Sequence, residues 1–164
     1  MSRAVFSLLV ENTAGVLSRI SGLFSRRGYN IDSLTVGETE NPLYSRMTVV
    51  ARGDDEILEQ IRRQLEKLVD VIDITELKSH STAVCRELLL IKIGVKPEER
   101  EKLMSVVNIF RAKVIDVAED SMIVELTGNQ AKVDAFIRLI GDFTVKEMAR
   151  TGITGLPRGT VSPD

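Results

Sequence analysis

The sequence contains few of the residues on which disulfides and most reactive sites depend. Its 164 residues include one cysteine, Cys85, one histidine, His80, and no tryptophan. A single cysteine excludes an internal disulfide and is typical of a reducing compartment, so we expect a cytoplasmic protein. His80 lacks neighbours at the spacing of metal ligands, and Cys85 lacks a histidine in any nucleophile motif. We therefore expect neither a metal site nor a catalytic residue.

An excess of one charge and long apolar runs are also missing. Lysine and arginine number 22 against 24 aspartate and glutamate, for a net charge of -2. Without a basic surface, binding to nucleic acid or to anionic lipid is not expected. No apolar stretch approaches the roughly 20 residues that cross a bilayer, and the first residues resemble a strand rather than a signal peptide. The 43% of apolar residues are nevertheless enough to fill packed cores, so we expect a soluble folded protein.

The first half of the chain shows strand and helix patterns in the order βαββαβ. Residues 4–10 are short and rich in β-branched and aromatic types, which predicts a buried strand. Helical spacing of apolar residues predicts a helix from Val16, and Gly28 can adopt the left-handed conformation that ends it. The remaining predicted elements are strands at 31–38, 44–52 and 70–77 and a helix after the Gly-Asp-Asp turn, with Ile57, Ile61, Leu65 and Leu68 on its apolar face.

The same order of elements repeats in the second half. The patterns predict strands at 86–95, 114–118, 122–127 and 145–149, a helix from Pro97 and a helix at 129–140. We therefore predict an α+β protein made of two tandem ferredoxin-like βαββαβ domains, each with both helices on one face of an antiparallel sheet. The predicted domains span 1–77 and 86–164, with a linker at 78–85 and a loosely held tail from about residue 150.

The loop between the first strand and the first helix, Glu-Asn-Thr-Ala-Gly at 11–15, is the best candidate for a binding site. Backbone amides at the start of a helix point outward and bind carboxylates. Gly15 permits a tight turn and the close approach of a ligand. Asn12 offers donors and an acceptor to the carboxylate and ammonium groups of an amino acid. A simple turn capped by Asn12 is the alternative that the spacing leaves open.

A longer pattern surrounds this loop. Residues 10–36 read V-E-N-T-A-G-V-L-S-R-I-S-G-L-F-S-R-R-G-Y-N-I-D-S-L-T-V. Further runs are S-R-M-T-V at 45–49, Q-L-x-K-L-V-D-V at 64–71, R-E-L-L-L-I-K-I at 86–93, I-F-R-A-K-V-I-D-V at 109–117 and T-G-I-T-G-L-x-R-G at 151–159. Together these runs resemble the small subunits of acetohydroxyacid synthase, also called acetolactate synthase, a family whose first half is an ACT regulatory domain. The resemblance covers nearly the whole chain.

The resemblance implies a chain that binds a free amino acid at the interface of paired ACT domains in a homodimer. The implied effector is L-valine, with leucine and isoleucine as alternatives. Carried over to this sequence, the effector loop comprises Asn12, Thr13, Ala14, Gly15, Val16 and Leu17, and the partner protomer adds Asn30 and Ile31. For Asn30 the residues alone equally allow a role in ending the helix beside Gly28.

The resemblance also implies a regulatory subunit with no active site and no cofactor of its own. It would activate a catalytic large subunit of the acetolactate synthase of branched-chain amino acid biosynthesis and make that enzyme sensitive to feedback inhibition by valine. The large subunit would carry thiamine diphosphate, Mg²⁺ and FAD.

Other functions are compatible with the same fold. A free-standing ACT-domain sensor that acts on another protein is the main alternative, because only the whole-chain resemblance implies a catalytic partner. An RNA-binding sheet would carry stacking aromatic residues and a basic face, whereas this chain has two tyrosines, five phenylalanines and a slightly acidic charge. A small enzyme would need a constellation of acid, base or nucleophile, which the sequence does not offer.

Overall fold

Four strands and two helices form most of the first unit of the protein, and the strand and helix residues that face each other form its core. The computed structural model describes residues 1–159. The elements of this unit are β1 (Ser2–Glu11), α1 (Val16–Arg27), β2 (Asn30–Glu38), β3 (Tyr44–Gly53), α2 (Asp55–Glu66) and β4 (Val71–Glu76). The strands form an antiparallel sheet in the order β2-β3-β1-β4.

Both helices pack on one face of this sheet. Phe6 and Leu8 of β1 contribute to the same buried cluster as Ile20 of α1 and Ile61 of α2. In the first turn of α2, Leu58 is buried and Ile57 is 36% exposed. The residue that faces the sheet there is therefore Leu58 and not the predicted Ile57. The helix begins at Asp55, and spacings of three and four residues from Leu58 reach the fully buried Ile61 and Leu65.

The second unit repeats the same plan over Arg86–Gly152. Its elements are β5, which begins in the first unit (Ala83–Gly94), α3 (Arg100–Ile109), β6 (Lys113–Val117), β7 (Ser121–Gly128), α4 (Gln130–Leu139) and β8 (Thr144–Arg150). The sheet order is β6-β7-β5-β8. A short 3-10 turn at Pro97–Glu99 precedes α3, so the helix predicted from Pro97 starts with a tighter turn. The prediction of two tandem ferredoxin-like βαββαβ folds is confirmed.

The loose tail predicted from about residue 150 differs from the structure. Residues 154–157 form a short strand, β9 (Thr154–Pro157), that pairs with β5, and this segment belongs to the first unit. Ile153 is 6% exposed and packs in an apolar cluster with Val5, Val50, Leu77 and Ala83. A four-residue strand is too short to show a hydrophobic period, which explains why the sequence did not reveal it. Residues 160–164, also part of the predicted tail, lie outside the described residues.

None of the helices within residues 1–159 is long and apolar enough to span a bilayer.

Candidate functional site

The predicted binding loop lies where β1 ends and α1 begins. Gly15 precedes the first turn of α1 with a φ angle of 89°, a conformation that L side chains rarely adopt. No side chain caps this helix start, and its first turn contains no acidic residue. An uncapped helix start carries partial positive charge and unsatisfied amide groups, which together favour an anion such as a carboxylate.

A small cavity opens beside this helix start. Its volume is about 90 Å³, and its lining includes Asn12, Thr13, Val16 and Leu17 from the predicted effector loop. The rest of the lining was not predicted from the sequence and consists of Val10, Glu11, Val36, Ser45 and Met47. Ligand pockets usually measure roughly 300–1,000 Å³, so this cavity is small for a complete ligand site. An uncapped helix start beside a recess with both polar walls and apolar walls, the latter from Val16, Leu17 and Val36, suits a small amino acid with an apolar side chain.

Asn12 connects the loop to the turn between β2 and β3. Its side-chain Nδ2 donates hydrogen bonds to Pro42 O at 2.9 Å and to Glu38 Oε2 at 3.3 Å. Its backbone N donates to Leu43 O at 2.8 Å. Because the side-chain nitrogen is engaged within the protomer, the Oδ1 atom is the part of Asn12 best suited to a ligand, as an acceptor from an ammonium group.

Asn30 and Ile31 lie far from this loop within the same protomer. They begin β2, where they pair with Arg52 and Ala51 at the end of β3. The cavity lies at the other end of these strands, where Val36 pairs with Met47. Arg52 lies five positions after Met47 along β3, a distance of roughly 17 Å at strand rise. Residues 12, 13, 16 and 17 thus line the cavity, whereas residues 14, 15, 30 and 31 are not part of its lining.

An ion pair that the sequence did not predict lies next to the loop. Arg19 of α1 donates two hydrogen bonds to the Asp70 carboxylate, from Nε to Oδ2 and from Nη2 to Oδ1, the second at 3.0 Å. The hydrogen bonds from Arg19 lower the pKa of Asp70, and the same bonds raise the pKa of Arg19. Asp70 also accepts a hydrogen bond at its backbone oxygen from Glu11 N, at 2.9 Å. Arg19 and Asp70 are 51 positions apart in the sequence, so no local spacing could have revealed their ion pair.

The histidine and the cysteine lie away from the loop. His80 accepts a hydrogen bond from Arg158 Nε at its backbone oxygen, at 2.8 Å. Cys85 is half-buried against the cluster that contains Ile153. Among residues 1–159, no three histidine, cysteine, aspartate or glutamate side chains are grouped as metal ligands would be.

Comparison with known proteins identifies relatives along almost the full length. Residues 6–73 match the family described as AHAS small subunit-like ACT domain, and residues 86–159 match the family described as small subunit of acetolactate synthase. The probable acetolactate synthase small subunit of Methanothermobacter thermautotrophicus is 49% identical over 157 residues, which cover 95% of this chain and 93% of that protein. The acetolactate synthase isozyme 3 small subunit of Escherichia coli is 46% identical over 158 residues, which cover 96% of each.

A solved structure agrees with these relationships. The crystal structure of the acetolactate synthase small subunit from Thermotoga maritima superposes with a TM-score of 0.89 at 42% sequence identity. The match covers 98% of this chain and 100% of that chain, so both βαββαβ units have counterparts there.

Proposed function

This chain belongs to the family of acetolactate synthase small subunits, and we propose that it is the regulatory subunit through which L-valine controls a separate catalytic large subunit. The observation that carries the proposal is the uncapped start of α1 at Gly15, which lies beside a small recess lined by both apolar and polar side chains. The helix start provides charge for the carboxylate of a free amino acid, and the recess provides space for a branched side chain.

The six predicted residues of the effector loop have three roles in this proposal. The backbone of Thr13, Ala14 and Gly15 approaches the ligand, and Asn12 Oδ1 accepts a hydrogen bond from the ammonium group. Val16 and Leu17 line the recess for the side chain. Leucine and isoleucine are the alternative ligands, because a recess of this size discriminates weakly between aliphatic groups that differ by one methylene.

The pocket is completed by a second copy of the chain. The partner protomer contributes its Asn30 and Ile31, which in one protomer lie too far from the loop to share a ligand with it. Two observations support a dimer. The cavity is small for a complete ligand site, and Leu17, Val36 and Leu43 around it are 45%, 50% and 68% exposed. Exposed apolar side chains next to an incomplete site favour burial against a partner.

The catalytic chemistry belongs to the large subunit in this proposal. That partner carries thiamine diphosphate, Mg²⁺ and FAD, and this chain binds none of them. Valine acts by binding two states of the complex with different affinities, a difference that is typically about 1–3 kcal/mol. The partner must then change the affinity for valine by the same factor, because coupling between two binding sites is reciprocal. We place the complex in the cytoplasm.

Reconstitution tests the proposal. The purified chain should form no acetolactate by itself, should raise the rate of acetolactate formation by the large subunit, and should make that rate sensitive to valine. If mixing the two proteins alters neither the rate nor its response to valine, the regulatory-subunit proposal is wrong. In that case valine binding by the isolated chain would favour the alternative, a free-standing ACT-domain sensor that acts on another protein.

A further inference from the structure

We propose that Arg19 is a positioning residue for the effector loop and that it acts through Asp70 rather than by contact with the ligand. This inference rests on the proposed function, because it explains how the loop is held ready for the amino acid. The helix end of the loop has no side-chain cap, and the hydrogen bonds of Asn12 to the turn between β2 and β3 hold only the strand end of the loop.

Arg19 lies directly against the glycine of the loop. Its backbone N donates to Gly15 O at 2.9 Å, which forms the first helical hydrogen bond of α1. Its side chain turns back along the helix, so closely that a Cβ atom added to Gly15 would lie 2.9 Å from Nη1 of Arg19. Arg19 therefore contacts Gly15 in two ways: its backbone nitrogen binds the Gly15 carbonyl, and its side chain limits the space for a Cβ atom at that position.

Asp70 links the two ends of the loop. Its carboxylate accepts the paired hydrogen bonds of the Arg19 guanidinium, and its backbone oxygen accepts from Glu11 N. Glu11 is the last residue of β1, and Gly15 precedes the first residue of α1. One residue just before β4 thus holds the chain on both sides of Asn12, Thr13 and Ala14.

The guanidinium is already engaged before any ligand arrives. A paired arginine and carboxylate match each other's geometry, so we expect the ligand carboxylate to meet the backbone amides of α1 rather than Arg19. The Arg19 side chain is 50% exposed and the Asp70 side chain 13% exposed, so the pair lies at the edge of the folded unit. We expect this pair to contribute to ligand affinity, since a loop that is already ordered loses less entropy when the ligand binds.

Calorimetry with L-valine and the full-length chain tests this inference. We expect R19Q and D70N each to weaken valine binding roughly tenfold, because a loop released from Asp70 must be ordered again by the ligand. The double variant R19Q/D70N should be no weaker than either single variant, since both changes remove the same contact. R62Q is the matched control, because Arg62 makes comparable ion pairs with Glu59 and Glu66 on α2 of the same unit. It should bind valine as the parent does.

Hydrogen exchange gives a second measurement that needs no ligand. In R19Q and D70N the amides of residues 12–17 should exchange faster, while the amides of β1 and β3 keep their protection. R19K, which retains the charge but not the paired geometry, should bind valine with intermediate affinity. If R19Q or D70N fails to fold, the valine affinities of R19K and of the other variant still test the inference.

The outcomes separate this inference from the function on which it rests. Absence of valine binding by the parent chain would overturn the proposed function, and this inference with it. Tight binding by the parent and by all variants would overturn this inference alone. A loss of binding in R19Q with parental binding in D70N would also overturn it, because Arg19 would then act independently of Asp70.

Discussion

The Arg150 guanidinium donates two hydrogen bonds to the Glu87 carboxylate, from Nε to Oε1 at 3.2 Å and from Nη2 to Oε2 at 2.8 Å. Glu87 is 4% exposed, so its carboxylate is largely removed from water, whereas the Arg150 side chain is 29% exposed. Removal of one partner from a buried pair leaves an uncompensated charge, at a cost of about 3 kcal/mol or more. We therefore expect Arg150→Met to destabilise the second unit by about this amount, measured by chemical denaturation.

Lys146 provides the control for this prediction. It forms an ion pair with Asp120 at 3.0 Å, and the aspartate side chain is 77% exposed. Lys146→Met should lower the free energy of unfolding by less than about 1 kcal/mol, because exposed ion pairs are screened by water. If Arg150→Met and Lys146→Met lower the free energy of unfolding equally, the burial of Glu87 does not raise the cost of losing its partner.

Gly15→Asp should abolish the valine response. The aspartate must adopt a φ of 89°, place its Cβ near Arg19 and bring a negative charge to the position expected for the ligand carboxylate. We expect at least a tenfold loss of valine affinity by calorimetry, or about 1.4 kcal/mol. Gly22→Ala on the same helix is the control. It should retain valine affinity and stabilise the protein by about 0.5–1 kcal/mol, because alanine favours a helix interior.

Mixed dimers should reveal that each pocket uses two chains. Gly15→Asp and Asn30→Ala should each impair both pockets of a homodimer. A mixed dimer of the two variants contains one pocket with both changes and one pocket with neither, so it should bind one valine with parental affinity. Titration of a refolded mixture measures this recovery. If mixing restores no tight site, residues 15 and 30 do not complement each other across a dimer.

Glu59 should titrate at unusually low pH. Hydrogen bonds from Arg62, followed by those from Arg63, lower the pKa of Glu59 to about 2. A lowered pKa in the folded state adds stability above the ordinary value of 4.5, and this stability is lost as the pH falls toward 2. Arg62→Gln should raise the pKa of Glu59, measured by NMR, and the stability difference from the parent should shrink between pH 5 and pH 2. A smaller rise is expected for Arg63→Gln, whose contribution is smaller.

Several features of the site could be predicted because their causes are local. Gly28 ends α1 with a φ of 65°, and Asp54 caps α2 by accepting from Ile57 N at 2.9 Å. Gly15 adopts the positive φ expected for a tight turn. Each of these features depends on hydrogen bonds and dihedral preferences within four residues, which the sequence pattern displays directly.

Other parts of the site depend on contacts between distant segments. Ser45 and Met47 line the cavity because β3 pairs with both β1 and β2, and the register of these strands is not visible in their composition. The sequence offered both donors and an acceptor at Asn12 for a ligand, but only the structure shows that the side-chain nitrogen already donates to Pro42 O.

The sequence by itself determined the order of most strands and helices, their approximate ends and the position of the loop between β1 and α1, because hydrophobic period and turn chemistry act over a few residues. Only the tertiary structure decided which residues share the cavity, that Arg19 is paired with Asp70, and that residues 154–157 form a strand with β5. These features arise from packing and hydrogen bonding between segments far apart in the chain. Their energies depend on the complete fold rather than on the identity of neighbouring residues.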